Sequence, residues 1–119
     1  MILKINKFDC AALTLHMSIM RKPFKVLTKK QYNSSKSDLM SSYDYVLQIC
    51  RDGLEQGLDY IDLHLNVQDI NVLHEFLLSY TTKLKPLLDD KKTFTDLDNE
   101  QINSLCKLCS NLHILKLSA

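Results

Sequence analysis

A chain of 119 residues, 45% hydrophobic and 24% charged, has the make-up of a single globular domain rather than a disordered, fibrous or disulfide-stapled one. Its formal net charge of +1 hides an uneven spread: residues 1–36 hold eight bases against one acid, and residues 37–119 hold seven bases against thirteen acids. With only two glycines and two prolines, the composition leans toward helices and excludes the glycine-rich phosphate loops of nucleotide-binding enzymes.

Residues 2–8 alternate well enough for a strand. Residues 11–19 alternate better, with Leu13, Leu15, Met17 and Ile19 on one face and Ala12, Thr14, His16 and Ser18 on the other. The two segments predict a hairpin turning at Asp9-Cys10. Pro23 should end the second strand, Phe24 to Thr28 could add a third, and Lys29 to Ser37 reads as a polar loop. A first helix is expected over 36–56, capped by Ser35 with Asp38 and striped by Leu39, Tyr43, Val46, Leu47, Cys50 and Leu54. Gly57 suits the left-handed position after a helix end, with Gly53 as an alternative stop.

Residues 59–65 alternate strictly: Ile61, Leu63 and Leu65 face one way, Tyr60, Asp62 and His64 the other. Asn66 with Asp69 should cap a second helix carrying Ile70, Leu73, Leu77, Tyr80 and Leu84, stopped by Pro86. After a charged connector over 86–97, a third helix begins near Asp98 with Ile102, Leu105, Cys106, Cys109 and Leu112 on one face. Residues 114–117 either extend it or form a last strand. The expected fold class is α+β: a small antiparallel or mixed sheet, made of the N-terminal hairpin plus the strand near 59–65, with about three helices packed on one face of a single domain. No internal repeat is legible.

No segment has the roughly 20 apolar residues of a membrane span, and no export signal is evident. A cytoplasmic location with Cys10, Cys50, Cys106 and Cys109 as free thiols is therefore expected, with no membrane partner. Lysine outnumbers arginine thirteen to two and asparagine and isoleucine are frequent, which points to an AT-rich genome such as a bacterium, phage or mobile element.

Three constellations carry chemistry. Cys106, Cys109 and His113 share a helical face and are zinc-ligand types. The same face is apolar, so buried thiols without metal or cofactor are expected. His16, Asp62 and His64 could meet for acid–base work if their strands were neighbours. The third is the basic stretch: Arg21, Lys22, Lys25, Lys29 and Lys30 with no acid among them. With nucleotide loops, nucleophile elbows and zinc-protease motifs all missing, the expected function is a non-catalytic macromolecule-binding module. A small inhibitor or adaptor acting on host machinery, with an acidic protein partner held by those five residues, is favoured. Non-specific nucleic-acid binding through residues 21–36 is the alternative, since lysine serves phosphates better than base edges. A small enzyme using His16, Asp62 and His64 comes third.

Overall fold

The computed structural model describes residues 1–31, 36–88 and 96–118, with the backbone alone for 27–31, 36–38, 83–88, 96–99 and 118. In chain order these form β1 (Ile2–Asn6), α1 (Lys7–Gln31), α2 (Lys36–Glu55), β2 (Tyr60–His64), α3 (Val67–Leu88) and α4 (Asp96–Ser118). The α+β class holds, but the described sheet has two antiparallel strands and the described helices number four.

The main correction falls on residues 11–19, which are helical and belong to α1. Helical spacing was present in the sequence beside the alternation. Cys10, Leu13, Met17 and Phe24 recur every three, four and seven positions, and all are buried. Leu15 and Ile19, which a strand would have put beside Leu13 and Met17, point outward instead. The hairpin and the third strand near Phe24 are therefore absent, and positions 29–31, expected in a loop, continue the helix.

Pro23 sits inside α1, although a mid-helix proline loses one backbone bond and costs about 3 kcal/mol. Phe24, the next residue, offsets this on the buried side of the helix. Its ring stacks on Tyr43 with centroids 5.0 Å apart and meets Phe76 edge-on at 5.5 Å, contacts that add to simple burial. Likewise α3 runs past Pro86 to Leu88. The Ser35 cap and residues 89–95 of the connector lie outside the described residues.

Other readings stand. Leu3 and Ile5 of β1 and Ile61 and Leu63 of β2 face the helices together with Leu65, while Ile2, Lys4, Tyr60 and His64 face outward. Asn66 and Asp69 cap α3 reciprocally: Asn66 Oδ1 accepts from the Asp69 amide at 2.7 Å, and Asp69 Oδ2 accepts from the Asn66 amide at 3.1 Å. Helix α2 passes through Gly53 and ends at Glu55, with Gly57 just beyond it at a φ of +69°. The Leu58 and Gly57 amides donate back to the carbonyls of Gly53 and Leu54, which closes the helix end. Residues 114–117 extend α4.

A repeat does exist, and it is one of burial more than identity. Each half runs strand, helix, helix. Shifted by sixty positions, Leu3, Asn6, Asp9 and Leu13 fall on Leu63, Asn66, Asp69 and Leu73. Asn6 caps α1 as Asn66 caps α3, with the same 2.7 Å bond to the amide three residues on. Shifted by sixty-two, Met40, Ser42, Tyr43, Val46, Leu47 and Cys50 of α2 fall on Ile102, Ser104, Leu105, Leu108, Cys109 and Leu112 of α4, and all twelve are buried.

The strand register obeys the same symmetry. Leu3 pairs with its own counterpart Leu63, and the Ile2–His64 pair is exchanged with Lys4–Asp62. A local twofold axis thus passes between Leu3 and Leu63. Accordingly α1 packs on α2 and α4, and α3 packs on α4 and α2.

Gly53 lets α2 lie close against Ile61 of β2. A Cβ there would stand 2.5 Å from Ile61 Cγ1 and 3.4 Å from Ile61 Cβ, on a β-branched side chain with little room to turn. Gly53→Ala should therefore destabilise the protein by about 1–3 kcal/mol, the usual cost of overpacking. Helix propensity alone would give a gain of up to about 1 kcal/mol. Urea denaturation of the two proteins decides between these signs.

Candidate functional site

The basic stretch lies on the C-terminal half of α1, so its charges are spaced by a helix and not by an extended loop. Positions 21 to 30 span only about 15 Å of helix axis. Arg21 faces α2, where its Nε and one terminal nitrogen each donate to Asp44 at 2.7 Å. The hydrogen bonds from Arg21 hold the Asp44 carboxyl below its ordinary value of 3.8, and the charges of Lys25 and Arg51 pull the same way. Lys22 and Lys25 are exposed. The side chains of Lys29 and Lys30 lie outside the described residues.

His16, Asp62 and His64 are not neighbours on a sheet, because His16 stands on α1. Its Nε2 is hydrogen-bonded to Gln101 Oε1 of α4 at 3.1 Å, and its Nδ1 to the Tyr80 hydroxyl of α3 at 2.7 Å. His16 therefore ties three helices together. Asp62 and His64 lie on the outer face of the ribbon, where the His64 carbonyl accepts from Tyr45 at 3.0 Å.

Cys109 is buried in the core, Cys106 is half-buried, and His113 stacks on His74 of α3 with centroids 5.7 Å apart. Burial, with Lys116 and His113 nearby, holds His74 below its ordinary 6.5. Among the described residues no three His, Cys, Asp or Glu side chains are placed to hold a metal ion.

A feature that alternation concealed is the outer face of α1. Phe8, Leu15, Ile19 and Val26 are 45%, 46%, 61% and 54% exposed. At about 100° per residue they fall within about 20° of one line down the helix, directly opposite Cys10, Leu13, Met17 and Phe24. Ala11 and Lys22 border that line and are also exposed. The helix is thus apolar on two opposed faces, of which the core uses one.

The second half of the molecule provides an internal comparison. In α3 the positions equivalent to Phe8, Ala11, Leu15, Ile19 and Lys22 are Gln68, Asn71, Glu75, Ser79 and Thr82. Those five positions of α3 are all polar, although Val67 and Leu78 elsewhere on that helix are exposed.

No family model, curated protein or solved structure matches this chain. Among the described residues no helix is long and apolar enough to cross a membrane.

The Arg21–Asp44 pair is half-exposed, so water screens it and Asp44→Asn should cost only about 0.5 kcal/mol at neutral pH. Because the native state lowers the Asp44 pKa, this contribution is complete above 3.8 and is lost as the pH falls through the lowered value. Urea titrations of wild type and Asp44→Asn should differ at pH 7 and converge in strong acid. A gap that stays constant with pH would assign the loss to packing instead.

Proposed function

We propose that this protein is a non-catalytic binding module, a small inhibitor or adaptor, whose partner is a protein with an acidic surface. The basic stretch of α1 is the contact region: Lys22 and Lys25, continued in sequence by Lys29 and Lys30, with Arg21 anchored to Asp44 at its edge. The observation that carries this reading is the succession of these bases along one helix, with Lys22 and Lys25 exposed, while its only acid, Asp9, is buried under Ser104 and Lys107 of α4. Such a surface raises the association rate with an acidic partner and weakens as salt is added.

Lysine-rich helices also hold phosphates, so the test must separate protein from nucleic acid. A photoreactive amino acid at position 22, introduced into the full chain and activated in the native host, should give an adduct with an acidic protein. The same chain carrying Lys25→Glu, Lys29→Glu and Lys30→Glu should lose that adduct while remaining folded. Mixed-sequence DNA and RNA should show no binding at physiological salt. An adduct with nucleic acid, or a protein adduct indifferent to the three substitutions, would contradict the reading.

A further inference from the structure

We propose that the outer face of α1 is a docking seam for an acidic amphipathic helix of the partner protein, seated along Phe8, Leu15, Ile19 and Val26. The inference rests on the protein-binding reading above and specifies its contact surface. The four side chains run in a nearly straight row about 27 Å long, from the first turn of α1 to beyond Pro23. Their spacings of seven, four and seven positions are those at which one helix presents anchors to another.

At the places that correspond to Phe8, Leu15 and Ile19, the twofold-related helix α3 carries the polar residues Gln68, Glu75 and Ser79. Phe8, Leu15 and Ile19 thus add apolar surface where the related helix is polar, and with Val26 they form an exposed apolar row of the kind that marks an interaction site.

Charge identifies the occupant. Lys7, Lys22 and Lys25 lie on α1 along one flank of the seam, with Arg51 of α2 bonded to Ser18 on the same side at 3.1 Å. At the N-terminal end, Phe8 lies in a shallow cleft where Asp9 and Glu100 accompany Lys107, whereas Lys22 and Lys25 flank the row toward the C-terminal end. A second copy of this chain bound through the same face would set these lysines against one another. A lipid surface calls for a broad apolar face, whereas this seam is one side chain wide. A helix with an apolar stripe and glutamates or aspartates beside it satisfies both features, with its acids set against Lys22 and Lys25.

The probe is a labelled helical peptide of about 20 residues, with leucines at alternating three- and four-residue spacing and glutamates on its flanks. A polyglutamate peptide of the same length and vesicles of phosphatidylcholine with phosphatidylserine serve as comparisons. Fluorescence anisotropy at low salt should give micromolar binding of the amphipathic peptide to the full chain. Leu15→Glu with Ile19→Ser, which copies the α3 exterior, should weaken it at least tenfold with an unchanged circular dichroism spectrum.

Equal binding by that variant, or no binding by wild type, would overturn the seam. Equal binding of polyglutamate would also remove the seam but leave an acidic protein partner in place. Binding of the vesicles in preference to the peptide would overturn both readings in favour of a membrane surface. Self-association of wild type that the variant loses would assign the face to a second copy.

Discussion

A ribbon of two five-residue strands is not stable in water by itself. Here β1 and β2 persist because Leu3, Ile5, Ile61, Leu63 and Leu65 are covered by helices from both halves of the chain. That constraint organises the rest. The antiparallel pairing of Leu3 with Leu63 joins two strand-helix-helix units around a twofold axis. Neither unit closes its own core: α1 must reach α4, and α3 must reach α2. The hydroxyl of Ser104 on α4 reaches across to the buried carboxylate of Asp9 at the start of α1, and Ser42 and Asp69 line the equivalent cleft on the other side. Leu77 of α3 and Met17 of α1, equivalent residues, are both fully buried near the middle of the assembly.

How much of this was legible in the sequence depended on whether one periodicity or two were present. Residues 59–65 carry a single pattern with period two, and the strand stands where it was expected. The Asn66–Asp69 cap and the Gly57 helix end were legible because each is a local device with its own chemistry. Residues 8–26 carry two apolar rows, one for the core and one for the outside. Merged, these rows alternate from Leu13 to Ile19, and alternation reads as a strand. The prolines misled for a related reason: Phe24 is held by the aromatic cluster of Tyr43 and Phe76, and tertiary packing outweighed the local penalty of Pro23. The twofold repeat was not legible because what the two halves share is which positions are buried, and burial tolerates Tyr43 opposite Leu105 or Cys10 opposite Ile70.

The candidate site was legible in one half of its chemistry. The basic residues were plain from charge counting, though not the capture of Arg21 by Asp44, which needs α1 and α2 side by side. The apolar half was hidden by the strand reading, which assigned Leu15 and Ile19 to the core. Once α1 is a helix, those residues have no core to enter. In α3 the places equivalent to Phe8, Leu15 and Ile19 are polar, so the shared architecture does not itself call for apolar residues there.

The central claim is that Phe8, Leu15 and Ile19 serve a partner and not the fold. The most direct measurement is the unfolding free energy, by urea denaturation, of a chain carrying Phe8→Gln, Leu15→Glu and Ile19→Ser, the residues found at the equivalent places in α3. If the row is external to the core, the triple variant should match wild type to within about 0.5 kcal/mol per substitution, as surface changes do. A loss of several kcal/mol, in the range of about 2–5 kcal/mol for each buried side chain removed, would show that the row belongs to the core and contradict the account.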